Sequence, residues 1–178
     1  MPMTTQKPQW IASEGGPLVM MPRSKASSWN GVEGDHYDDA CQIDDFAGVL
    51  KRSWGDILVL GDEPAQTTLI VRQDGLALLR WLHAPSEQDL LELALRWAPE
   101  DPPSPVERLS IRLLDEPYIL FDSVQHGQSI EPMDLQPPPS ARTLTTFVVK
   151  DEDKQVGFIL HRFDHTLSKG HLTLVPRE

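Results

Sequence analysis

Cysteine is almost absent from this chain. Cys41 stands alone among 178 residues, so no internal disulfide can form, and a reducing compartment is the natural setting. Long apolar runs are missing too. No stretch approaches the roughly 18 residues that a membrane-spanning helix needs, and the opening MPMTTQKPQW has neither the charged head nor the apolar run of a signal peptide. These absences predict a cytoplasmic protein with no membrane partner. Basic residues are also scarce: 16 Lys and Arg stand against 27 Asp and Glu, a formal charge of −11. The deficit runs along the whole chain, with 15 acids against 8 bases in residues 1–100 and 12 against 8 in residues 101–178. Such an excess repels nucleic-acid phosphates, which argues against a nucleic-acid partner, and it speeds encounters with a basic protein. Catalytic signatures are lacking as well. There is no G-x-S-x-G, Walker A run, G-x-G-x-x-G, H-E-x-x-H or C-x-x-C.

What is present describes a soluble domain rich in turns. Apolar residues make up 39% of the chain, and its sixteen prolines are clustered, which favours strands and loops over a helical bundle. WIASEGGPLVMMP suggests a hairpin around Glu-Gly-Gly-Pro, GDILVLGDEP a strand between turns, and TTLIVRQDGLALLRWLHA two strands joined at Gln73-Asp74-Gly75. SKASSWNGVEG reads as loop, and ACQIDDFAGVL fits a helix face weakened by Gly48. One helix is clear. In PSEQDLLELALRW, Ser86 can cap, Asp89 lies three residues on, and Leu90, Leu93, Ala94 and Trp97 recur at helical spacing toward the core, giving a helix near 86–97. APEDPPSPVE is the best candidate linker. The fold class expected is α+β, mainly antiparallel β.

The two parts of the chain echo one another. GPLVMMP matches EPYILFD, TTLIVR matches TTFVVK, and LLRW matches LHRF, in preserved order. We therefore expect a flexible tail over 1–9 and one compact domain over 10–165. That domain would hold two related sub-repeats, 10–97 and 107–165, joined by a Pro-rich linker at 98–106. A C-terminal tail over 166–178 follows, with an edge strand at HLTLV.

The densest chemistry lies in EGDHYDDACQIDD, residues 33–45, with six carboxylates, a histidine and the only cysteine. A metal-dependent hydrolase would use Asp35, His36 and Asp38 as ligands. The mixture of hard oxygen with nitrogen and sulfur suits no single ion well, however, and the D-x-D-x-D-G calcium register is absent. HRFDH, with His161 and His165, is the only close histidine pair, and those residues stand too far apart on a strand for a compact site. No cofactor is expected. Carboxylates around Cys41 raise a thiol's pKa and blunt it, so we expect a buried structural cysteine. Adjacent acids such as Asp44-Asp45, Asp62-Glu63 and Asp115-Glu116 point to opposite faces of a strand, and two of these couples precede proline as turn formers. The chain is therefore not expected to be an enzyme.

WIASEGGPLVMMP, DHYDDACQIDDFAGVL, GDILVLGDEPAQTTLIV and GLALLRWLHA together resemble the immunity protein 21 family of bacterial polymorphic toxin systems. EPYILFDS and FILHRF look like family positions too, so the resemblance covers about 10–165. LGDEP followed by Thr-Thr is its most specific piece. The resemblance implies a non-enzymatic protein that binds a cognate toxin domain and blocks it, acting as a monomer when free. A basic, nuclease-like domain is the partner an acidic inhibitor would meet fastest. The candidate contact residues are Asp35, Asp38, Asp39, Asp44 and Asp45, with Trp29, Tyr37 and Trp54 as aromatic anchors. Two readings stand against this one: the acids only solvate a face whose other side is core, or the chain is a scaffold protein unrelated to toxins.

Overall fold

The computed structural model describes residues 7–61, 65–128 and 131–165, with the side chain of His165 outside that description. The tail over 166–178 with its HLTLV strand, most of the N-terminal tail, and the Asp62-Glu63 couple also lie outside it.

Short strands with alternating side chains build two five-stranded sheets. The first has the order β2-β3-β1-β7-β8, from β1 (Leu18–Pro22), β2 (Gly48–Arg52), β3 (Gly55–Leu60), β7 (Tyr118–Asp122) and β8 (Met133–Leu135). The second has the order β4-β5-β10-β9-β6, from β4 (Thr67–Arg72), β5 (Gly75–His83), β6 (Glu107–Ser110), β9 (Ala141–Asp151) and β10 (Val156–His165). Pairing is antiparallel throughout. With two α-helices among the described residues, α1 (Asp35–Cys41) and α2 (Glu87–Arg96), the fold is α+β and mainly β, as the sequence predicts.

The period of two sorts each central strand between two cores. Leu18 and Met20 of β1, Leu58 and Leu60 of β3, and Tyr118 and Leu120 of β7 meet Leu78, Leu144 and Phe163 of the second sheet. Their neighbours Val19, Met21, Ile57, Val59, Ile119 and Phe121 turn outward, under α1 and the 3-10 turn Arg23–Ser28. On the far side of the second sheet, Ala77, Leu79, Phe158 and Leu160 pack beneath Leu90 and Ala94 of α2. Each fully buried aliphatic or aromatic side chain contributes roughly 1.5–3 kcal/mol, so the strands buried on both faces dominate stability. No helix among the described residues is long and apolar enough to cross a membrane.

Local signals account for the helix and the hairpin. Ser86 Oγ accepts from Asp89 N at 3.1 Å and donates to the Asp89 carboxylate at 2.6 Å, so the capping logic sets the start of α2. Trp97 caps its other end and is half-buried. The β4–β5 turn holds Gln73 and Asp74, with Gly75 at φ +117, a conformation other residues rarely adopt.

The hairpin expected in WIASEGGPLVMMP does not form. Ile11 pairs with Thr67 of the second sheet through N–H···O bonds of 2.8 and 2.9 Å, whereas β1 lies in the first. The Gly15-Gly16 turn carries the chain from one sheet to the other. Gly15 sits at φ +129, and the carboxylate of Asp122 accepts from the Glu14 amide. SKASSWNGVEG, expected as loop, forms 3-10 turns at Arg23–Ser28 and Gly31–Glu33.

The echoing segments occupy matching places. Met20 and Leu120, equivalent in GPLVMMP and EPYILFD, are cross-strand partners at the centre of the first sheet. In the second sheet, Leu78 pairs with His161 and Leu79 with Leu160, so LLRW and LHRF also face each other. Thr67 pairs with Arg80 as Thr145 pairs with Arg162. We propose a duplicated β unit on this agreement of registers. The segment 23–54, carrying α1, and the segment 84–106, carrying α2, interrupt that unit.

A histidine is among the polar groups buried in the second sheet. His161 is fully buried, with Nδ1 2.8 Å from Thr146 Oγ1, and burial followed by the charge of Arg80 holds its pKa well below 6.5. It therefore stays neutral in the folded chain while the unfolded chain takes up a proton below about pH 6.5. Stability is unaffected above that pH and falls below it. Unfolding free energies from urea titrations between pH 7.5 and 5.5 should fall more steeply for the native chain than for His161→Gln, by up to about 1.4 kcal/mol per pH unit.

Candidate functional site

The acidic stretch folds against the outer face of the first sheet. Ala40, fully buried, anchors α1 over Val19, Met21 and Trp29. That contact decides the rest by helical rotation. With Ala40 facing the sheet, Asp35, Asp38 and Asp39 face solvent. Cys41, one residue on, is exposed as well, which corrects the expectation of a buried thiol. Tyr37 is half-buried. Its hydroxyl pKa is raised, first by a hydrogen bond with Cys41 and then by the charge of that thiol.

The chain then turns back over residues 43–47, and this loop is pinned from beneath. Glu107 of β6 accepts from the amides of Phe46 at 2.8 Å and Ala47 at 3.0 Å. Arg80 Nη1 donates to Phe46 O at 3.2 Å, and its Nη2 donates to Gly61 O at 2.9 Å. Burial pushes the Glu107 carboxyl upward, and the two amide bonds oppose that shift. A Cβ at Gly61 would stand 2.6 Å from Asp45 O and 2.7 Å from Ile43 O, so the loop can rest there only on glycine. Held this way, Asp44 and Asp45 are exposed beside the carboxylates of α1.

Five of the predicted contact residues thus belong to one solvent-facing acidic surface. Asp39 meets Arg52 at 3.4 Å, while Asp35, Asp38, Asp44 and Asp45 form no ion pair among the described residues. Trp54, at the β2–β3 turn, is half-buried next to Leu50 and Ile43, with Lys25 5.9 Å above its ring.

Trp29 does not belong to the surface. It is 1% exposed, its Nε1 donates to Ser123 O at 2.9 Å, and its ring stands edge-on to Phe121 at 6.0 Å. It supports α1 from below instead of meeting a partner. His36 lies against the same ring at 5.7 Å. Asp35, His36 and Asp38 therefore do not gather as ligands, and no group of three or more His, Cys, Asp or Glu converges among the described residues.

Sequence reasoning missed two features here. A cleft of about 320 Å³ opens between the 13–17 turn and the end of α1, lined among others by Gly16, Cys41, Asp44 and Arg80. Glu107, far away in the chain, fixes the loop on its rim. Glu107 ends the stretch APEDPPSPVE, expected as a linker, and nothing local marks it as a loop anchor. Replacing Trp29 by Ala should cost about 3–5 kcal/mol in denaturant unfolding, as for other buried aromatics. The same change at Trp54 should cost far less. Equal losses would remove the distinction between core and surface tryptophan.

The model of one protein family, immunity protein 21, matches residues 9–149 of this chain. No curated protein and no solved structure matches it. The matched span contains α1, its supporting Trp29, the pinned loop and Glu107 alike, and the chain belongs to the immunity protein 21 family.

Proposed function

We propose that this protein binds a cognate toxin domain and neutralises it by occupying its surface, without catalysis, in the cytoplasm of the cell it protects. Family membership supplies the class of function. The observation that supports the contact face is the set of exposed carboxylates on α1 and the 44–45 loop, four of them without an ion pair among the described residues. A basic, nuclease-like domain is the partner such a face would attract most quickly. Steering alone gives no tight complex, and the half-buried Trp54 and Tyr37 are the aromatic groups placed to anchor it. The face is preorganised: Ala40, Trp29 and Glu107 fix the backbone that carries it, so little ordering remains to oppose binding. The free inhibitor is a monomer on this reading.

The test begins with the toxin domain encoded beside this gene, expressed with and without this protein. Survival of the cells together with a stoichiometric complex is expected. A scaffold protein unrelated to toxins would give neither. Stopped-flow association with a catalytically inactive toxin domain should then slow by roughly tenfold or more at low salt when Asp35, Asp38 and Asp44 are changed to Lys, and its salt dependence should flatten. Unchanged association kinetics would move the contact face elsewhere on the molecule.

A further inference from the structure

A second surface of different character lies over the outer side of the other sheet. Pro99, Pro102, Pro103 and Pro105 deny the 98–106 segment a helix or a strand ladder, so it runs as an irregular strap from α2 to β6. Beneath that strap is a cavity of about 470 Å³. Trp97 and Phe147, with ring centroids 5.2 Å apart, form its apolar wall, and the prolines form a stiff opposite wall. Its polar lining is Arg72, Asp74, Arg108 and Arg162, with Ser104.

Those charges are not equally committed. Arg72 is spent on structure: Nε meets Asp74 at 2.8 Å, and its two terminal nitrogens donate to Ala94 O and Trp97 O at the end of α2. Arg162 lies over the Phe147 ring at 5.3 Å, meets Asp164 at 2.6 Å and reaches Asp74 at 3.3 Å. Partial burial pushes the Asp74 carboxyl upward, but the bonds and charges of Arg72 and then Arg162 outweigh it and leave the group below its ordinary value. Arg108 is different. It is exposed and makes no hydrogen bond or ion pair among the described residues. In a chain of net charge −11, this leaves an uncommitted arginine in the lining of a cavity that has one apolar wall. Arg108 also lies on β6, the outermost strand of its sheet, so one long edge of that strand has no strand partner among the described residues.

We propose that this cavity and the β6 edge together receive an extended acidic segment of the partner protein. The segment would run beside β6, where every second side chain points to the face that carries Arg108. A Glu or Asp carboxylate would meet Arg108, and an adjacent apolar side chain would enter between the Trp97–Phe147 wall and the prolines. Arg and Trp are the residues that most often dominate binding energy at protein interfaces, and a preformed pocket lowers the ordering cost. Resting on the toxin-inhibitor reading, the arrangement also supplies discrimination. The acidic face attracts any basic protein, and a cationic pocket on the other sheet rewards only a partner that also carries an acidic segment able to reach β6 in the right register.

The test uses the full chain with its arginine side chains labelled with nitrogen-15. Capped peptides of alternating Leu and Glu, and the same peptides with Gln for Glu, are titrated while the guanidinium signals of Arg108 and Arg162 are followed. A saturable shift with the Glu peptide alone is expected, with Arg108→Gln weakening it by about tenfold or more. An equal response to the Gln peptide or to acetate overturns the proposal, as does no response. A shift that grows with protein concentration alone would assign the surface to self-association and also overturn it. The inactive toxin domain is titrated in parallel. Toxin that binds the native chain and Arg108→Gln equally sinks this proposal and leaves the inhibitor reading intact. Glu peptide that binds at Arg108, with a toxin that binds neither protein, sinks the inhibitor reading and supports the acidic-segment site.

Discussion

Each sheet is closed at its centre by a pair of strands that come from opposite parts of the chain. β1 lies against β7 through Leu18–Asp122 to Pro22–Tyr118, and β5 lies against β10 through Arg80–Ile159 and its neighbours. Everything else depends on these two long-range pairings. Without β7, the first sheet ends at β1, whose side chains are buried on both faces. Without β10, the second sheet loses the strand that carries Phe158, Leu160, His161 and Phe163. The two sheets therefore stabilise as one body, and the core between them draws residues from both.

That frame explains where an irregular segment can hold a functional surface. α1 has seven residues and no side-chain cap, too short to persist alone in water. It is held by Ala40 and Trp29 against strands that are themselves fixed. The loop behind it is held by Glu107 and Arg80, which reach it from the other sheet. Charged groups are costly to bury unless bonded, and here their bonds fall on the backbone of residues 46, 47 and 61. The interior polar groups thus orient the acids that face solvent.

The parts of this arrangement that were legible in the sequence are those encoded locally. Alternating apolar residues located most strands, and Ser86 and Asp89 located α2. The parts that were not legible depend on distant partners. Ile11 pairs with Thr67, not with the strand that follows it, and nothing near Ile11 encodes that choice. Cys41 turned outward because the rotation of α1 is set by the seat of Ala40 on the sheet, and Trp29, which precedes that helix, turned inward onto Phe121 and Ser123 O; both are tertiary contacts. The five acids are all exposed, since charged side chains face water whichever way a short helix turns.

We propose that residues 33–47 form the surface that meets the toxin. The decisive experiment is hydrogen–deuterium exchange of this protein, alone and with an inactive toxin domain. Slowed exchange is expected at the amides of α1 and the 43–47 loop, with the strands of the first sheet beneath them little changed. Slowed exchange confined to other surfaces, with residues 33–47 exchanging as in the free protein, would contradict it.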